Sequence, residues 1–293
     1  MKKFVLWAWL GGAAALCAPG VYAGQDPAWT QPQKPFRIYG NSWYVGTHGL
    51  GAILITSPQG HVLIDGTLPE NARQIEANIE ALGFRVKDVK QILNSHAHAD
   101  HAGAIAALAA ASGAAVTASE AGAKALRLGG NDPEDPQYGE APRFPPVAKV
   151  GVVADGGQVR VGDIVVQAHY TPGHTPGSTS WTWESCEAER CLHMVYADSI
   201  TAFSNDAYRY SNNAEHPHRE QDFRQTFANV ASLPCDILIT PHPDASDFLD
   251  KVALRDQGKQ PNPLVDSKAC KAYAAAGGVK LDKRLQQEQQ GKH

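Results

Sequence analysis

Between Phe36 and Asp65 the apolar positions come in short runs, Phe36-Arg37-Ile38-Tyr39, Trp43-Tyr44-Val45, Ala52-Ile53-Leu54-Ile55-Thr56 and His61-Val62-Leu63-Ile64-Asp65, with turns at Gly40-Asn41 and Ser57-Pro58-Gln59-Gly60. Runs of this length predict an antiparallel meander. The period then changes. Pro69 opens a stretch with Ile75, Ile79 and Leu82 at spacings of four and three, closed by Gly83, which predicts a helix. Val89 to Leu93 predicts a strand, Ala102 to Ala111 a buried alanine-rich helix, Ala115 to Thr117 a strand and Glu120 to Leu128 a helix, so strand and helix alternate where the meander ended. Gly129 to Pro146 is rich in Gly, Pro and Asp, lacks periodicity and is long enough to predict a functional loop. Strands resume at Lys149 to Ala154, Gln158 to Val161, Ile164 to His169, Ser180 to Glu184 and His193 to Ala197; a helix from Glu220 to Ser232, a strand from Asp236 to Thr240 and a helix from Ser267 to Gln290 complete the chain. There is no short repeat, but sheet followed by helices occurs twice, which predicts an α/β sandwich of two sheets with helices outside.

With 293 residues, 43% hydrophobic and 19% charged, the chain can bury a large core and is neither disordered nor collagen-like in composition. Met1-Lys2-Lys3, the apolar run Phe4 to Leu16 and the small residues around Val21-Tyr22-Ala23 form an export signal. The expectation is a cleaved segment 1–23, a single mature domain 24–293 and a periplasmic location with no membrane contact after cleavage. A retained anchor would need roughly 20 apolar residues, and Leu16 is a poor neighbour for lipidation of Cys17. Losing Lys2 and Lys3 from 26 basic residues leaves 24 against 30 acidic, a formal charge of −6, which argues against a nucleic-acid partner. It leaves Cys186, Cys191, Cys235 and Cys270, an even number in a compartment where disulfides persist. Three pairings are open. Cys186 and Cys191 flank four residues between two strand-like runs and would clasp a hairpin tip, leaving Cys235 for Cys270; the competing zinc site lacks a C-x-x-C pair.

The densest chemistry is His96-Ala97-His98-Ala99-Asp100-His101, three imidazoles and one carboxylate directly behind a strand. Side chains two apart on an extended end point the same way, so His96 and His98 can grip one metal while the following turn swings Asp100 and His101 toward a second. Three other strand ends carry polar groups: Tyr170 to Gly177, where prolines and glycines fix a tight loop around His174; Tyr196 to Thr201, with a carboxylate and two hydroxyls; and Ile239 to Pro243, with His242 between prolines. A lone histidine is commonly a satisfied structural group; together, at strand ends, these point to one metal-centred site. Ser178 to Ser180 lack a G-x-S-x-G elbow, so no serine nucleophile is expected. His48, His61, His169, His193, His216, His218 and His293 fit no ligand motif and are read as surface or structural groups.

In order along the chain, H-A-H-A-D-H, T-P-G-H-T-P-G, Y-A-D-S-I-T and T-P-H-P resemble the motifs of the metallo-β-lactamase superfamily, and the likeness runs from about Tyr39 past Cys270. Y-G-N-S-W-Y-V-G-T, W-T-W-E-S-C-E and D-P-Q-Y-G are similar to class B β-lactamases of subclass B3, and Ser199 stands where other subclasses carry a cysteine ligand. The resemblance implies a four-layer αββα sandwich and two Zn2+, one held by His96, His98 and His174, the other by Asp100, His101 and His242. It implies a secreted β-lactamase that opens the β-lactam amide of penicillins, cephalosporins and carbapenems by a zinc-bound hydroxide oriented by Asp100, conferring antibiotic resistance. Three neutral imidazoles leave a tetrahedral zinc one open position, where the pKa of bound water is lowered to about 7. By the same resemblance Ser199 and Thr201 meet the substrate carboxylate, Gln137 lies at the pocket edge, and Asp198 supports a ligand from behind. The chain is expected to work as a monomer on a small-molecule substrate.

The H-x-H-x-D-H loop also serves thioester, lactone, phosphodiester and sulfate ester hydrolases, so the superfamily does not fix the substrate. The alternative is a glyoxalase II-like thioesterase or a lactonase, in which an aspartate aligned with Asp198 bridges both metals. The export signal, the disulfide-ready cysteines and W-T-W-E-S-C favour the β-lactamase. A non-catalytic zinc-binding secreted protein would close its coordination shell, whereas three-ligand sites keep a position open.

Overall fold

Successive residues of the central strands face different cores, and this alternation builds the layers. The computed structural model describes residues 26–291; the expected signal, residues 1–23, and His293 lie outside them. Strands β1 (Phe36–Tyr39), β2 (Ser42–Tyr44), β3 (Ile53–Ser57) and β4 (Gly60–Ile64) form the predicted antiparallel meander, and helix α1 (Ala72–Ala81) leads to β5 (Val89–Leu93), which pairs parallel with β4. Helices α2 (Ala99–Ala102) and α3 (Ile105–Ser112), strand β6 (Ala115–Ala118), helix α4 (Glu120–Arg127) and strand β7 (Val150–Val152) complete a seven-stranded sheet in sequence order. The second sheet has the order β12-β11-β10-β9-β8, built from β8 (Gln158–Val161), β9 (Ile164–Tyr170), β10 (Thr179–Glu187), β11 (Arg190–Tyr196) and, after helix α5 (Arg219–Ser232), β12 (Ile237–Ile239); helices α6 (Phe248–Asp256) and α7 (Ala269–Gln289) follow.

Ile53, Ile55, Val62 and Ile64 join Met194, Tyr196, Ile237 and Ile239 in the core between the sheets, while Leu54 and Leu63 turn to α1 and α3. On the other side Val195 and Leu238 turn to Val230 of α5 and Ala274 of α7. Period-two alternation thus yields helix, sheet, sheet, helix, the expected αββα sandwich. Every residue of β4 is buried, as a strand covered on both faces requires.

Two disulfides staple the second half. Cys186 and Cys191 lie directly opposite in the β10–β11 hairpin and are bonded, and Cys235 before β12 is bonded to Cys270 at the start of α7. Helix α6 was not predicted. Its buried Phe248 and Val252 are four apart, but Asp250, Lys251, Arg255 and Asp256 hide so short an apolar stripe. The predicted helix from Ala102 is divided, because α2 ends at Ala102 and the chain re-enters helix only at Ile105. No helix among the described residues is long and apolar enough to cross a membrane.

Candidate metal centre and active site

Strands β4, β5, β9, β11 and β12 deliver their C-terminal ends to one edge of the sandwich. The connections leaving them carry Asp65, His96 to His101, His174, Asp198 and His242. His174 reaches the edge because Gly173 has φ +143° and packs so closely on Phe223 that a Cβ there would lie 2.7 Å from the ring. Only glycine fits both demands.

Three imidazoles converge first. The possible ligand atoms of His96, His98 and His174 lie within 4.8 Å of one another, and all three residues are buried. Each ring is held from behind through its other nitrogen: His96 Nδ1 donates to Asp198 Oδ1 at 2.7 Å, His98 Nε2 to Asp135 Oδ2 at 2.9 Å and His174 Nδ1 to the Thr201 carbonyl at 2.9 Å. Those bonds fix the tautomers and leave His96 Nε2, His98 Nδ1 and His174 Nε2 as lone-pair donors. Burial, with the neighbouring imidazoles, holds His96 well below the ordinary histidine range and pushes His174 down to about 3, so both rings are neutral. His96 Nε2 is buried with no hydrogen-bond partner among the described residues, a cost that a metal ion removes.

A second set adjoins it. Asp100 Oδ2 lies 3.1 Å from His101 Nε2 and 3.2 Å from His242 Nε2, and the two imidazole nitrogens are 3.2 Å apart. Tetrahedral ligands at zinc distances sit about 3.3 Å from one another, so this triangle fits one face of a zinc shell. Burial alone would raise the Asp100 carboxyl, but His101 and His242 outweigh it and hold Asp100 well below the usual carboxylate range. His96 also groups with Asp100 and His101, so the two sets share a border.

A further carboxylate sets the root of the loop. Asp65, fully buried, accepts from Asn94 Nδ2, Ser95 N, Ser95 Oγ and Tyr196 OH at 3.0, 2.7, 2.6 and 2.9 Å. Next to it, Gly66 N donates to the His101 carbonyl and Ala104 N to that of Thr67, clamping the turn to α2.

The ligand sets open into a cavity of about 490 Å³ lined also by Trp29, Gln137, Pro142, Thr201, Phe203 and Lys280. Trp29 packs its ring 5.5 Å from that of His242. The loop carrying Gln137 is held by Asp135 and by Asn205, whose backbone and side chain donate to the Pro136 and Tyr138 carbonyls. Thr201 and Gln137 therefore face the cavity, whereas Ser199 is buried and does not line it. His61 is buried against Phe84, away from the site.

Sequence reasoning missed Asp65, Asp135 and Trp29. Asp65 carries the signal used for Asp198, a carboxylate ending a buried strand. Asp135 shares its loop with Asp132, and nothing in a single sequence separates the two.

The family model of the metallo-beta-lactamase superfamily matches residues 52–242. The structure superposes on Rm3 metallo-beta-lactamase with TM-score 0.87 and 51% identity, covering 89% of this chain and 97% of that one. It superposes equally, at TM-score 0.87 and 48% identity, on MEM-A1, a subclass B3 metallo-beta-lactamase isolated from a soil metagenome library, covering 90% of this chain and all of the other. A hydroxyacylglutathione hydrolase of Anaeromyxobacter dehalogenans is 37% identical over 93 residues, 32% of this chain and 28% of its own length. The fold, the two converging sets of potential ligands and a likeness near 50% identity over about nine-tenths of the chain agree: the chain belongs to the metallo-β-lactamase superfamily and, within it, to the subclass B3 metallo-β-lactamases, a family of zinc-dependent hydrolases.

Proposed function

We propose that this chain is an exported di-zinc β-lactamase that hydrolyses the amide of penicillins, cephalosporins and carbapenems and so confers antibiotic resistance. The observation that carries the reading is the pair of three-ligand sets at one cavity, His96, His98 and His174 beside Asp100, His101 and His242. Zinc bound there supplies a Lewis acid and an ionised water at neutral pH. The residues do the rest. His96, His98 and His174 are oriented by Asp198, Asp135 and the Thr201 carbonyl, so the site costs little reorganisation when it works. The ionised Asp100 aims an acceptor at the attacking group, Thr201 and Gln137 face the substrate, and Trp29 and Phe203 give the cavity an apolar wall. Export to the periplasm is supported by the pattern of residues 1–23 and by the two disulfides, with residues 24–293 as one catalytic domain acting as a monomer.

The thioesterase reading draws on the short match to the hydroxyacylglutathione hydrolase. Against it, Asp198 Oδ1 is engaged by His96 Nδ1, the nitrogen turned from the ligand set, which suits a supporting carboxylate better than a bridging one. Metal content decides the zinc assignment: His98→Ala and His242→Ala should each lower the zinc content from two ions toward one and abolish turnover. Two zincs retained in either variant would refute it.

A further inference from the structure

Helix α7 presents one face to the segment that follows Asp198. Tyr273 donates its hydroxyl to the Asp198 carbonyl at 3.0 Å. Four residues on, Gly277 packs so closely on Ile200 that a Cβ would lie 2.7 Å from its Cδ1. Seven beyond Gly277, Arg284 donates to Ser204 Oγ and the Tyr208 carbonyl at 2.9 and 3.1 Å. Tyr273, Gly277, Lys280 and Arg284 are spaced four, three and four apart and so share one face. Lys280 lies between the contacts to Ile200 and Ser204, beside Thr201, Ala202 and Phe203, with which it lines the cavity. Arg284 is committed to the loop and to Glu288. Lys280 is exposed and makes no hydrogen bond or ion pair among the described residues, and the Thr201 hydroxyl makes none either. Apart from imidazoles, Lys280 is the one cation lining this cavity among the described residues.

A cation and a hydroxyl, both unengaged on one wall, are a receptor for an anion. Penicillins, cephalosporins and carbapenems all carry a carboxylate beside the scissile amide. We propose that Lys280 receives that carboxylate beside Thr201, the hydroxyl that the family resemblance already implies for it, and is a specificity-determining residue of this enzyme; the inference rests on the β-lactamase reading. Ser199, by contrast, does not line the cavity.

The test compares one penicillin with its methyl ester on the wild-type protein, Lys280→Met and Lys280→Arg, each loaded with zinc. Lys280→Met should cut the acid-over-ester preference in kcat/KM about fivefold, through KM, as expected for a partly exposed ion pair. Lys280→Arg should keep most of the preference. KM for the acid should rise with salt in the wild type and hardly at all in Lys280→Met. An unchanged preference in Lys280→Met, or equal losses on acid and ester, would overturn the proposal while leaving the β-lactamase reading intact. A wild-type protein that opens neither compound would remove the β-lactamase reading and this inference with it.

Discussion

Asp198 decides how the first ligand set is held, and its replacement has a calculable effect. His96 Nδ1 and Asp198 Oδ1 are 2.7 Å apart in surroundings with essentially no solvent, the geometry of a charge-assisted hydrogen bond. In Asp198→Asn the amide oxygen can accept the same bond without the charge. The backbone contacts of Asp198 with Ser180 Oγ and the Tyr273 hydroxyl are untouched, so the loop keeps its place. A charged bond is roughly twice as strong as a neutral one, and carboxylates behind a metal-ligating histidine are worth about 10- to 100-fold in metal affinity. Asp198→Asn should weaken zinc at the His96 set about tenfold, near 1.4 kcal/mol. Asp198→Ala, which leaves His96 Nδ1 without an acceptor, should weaken it about a hundredfold. Competition against a zinc-binding chromophore reads both affinities. Zinc at the Asp100 set should hold as before. An unchanged affinity in Asp198→Ala would refute the supporting role, and an equal loss at both sites would make Asp198 a bridge.

Burial raises the Asp65 carboxyl from 3.8 to about 6. Between those values the native state binds the extra proton, so metal-free wild-type protein should lose up to about 3 kcal/mol relative to Asp65→Asn as pH rises from 4 to 7. Denaturant melts across that range would reveal a parallel course if the carboxyl is not raised. The disulfides should differ in weight. Cys235 and Cys270 are 35 residues apart and Cys186 and Cys191 only five, so replacing the first pair by serine should cost about 4 kcal/mol and the second about 2. Equal midpoint shifts would contradict the chain-entropy argument.

The meander, the strand ends and the histidines and aspartate that converge at the sandwich edge were legible because each rests on local pattern. Short apolar runs between turns mark β1 to β4, and His96, His98 and Asp100 declare themselves by spacing alone. What could not be read depends on distant partners. Asp135 matters only because the loop around it folds back on His98, 37 residues away, and Thr201 holds His174 through a backbone carbonyl that any residue would supply. Ser199 and Thr201 look equivalent in Y-A-D-S-I-T, yet Ser199 is buried and only Thr201 lines the cavity. Trp29 ends a single 3-10 turn, Pro27–Trp29, that carries no apolar pattern, and its packing on His242 appears only once β12 is in place.

The most direct test of the central claim is a substrate panel run on zinc-loaded mature protein with and without a chelator. The account predicts ring opening of penicillins, cephalosporins and carbapenems that stops with the chelator and returns when zinc is restored. Intact β-lactams beside hydrolysed S-lactoylglutathione or homoserine lactones would contradict it.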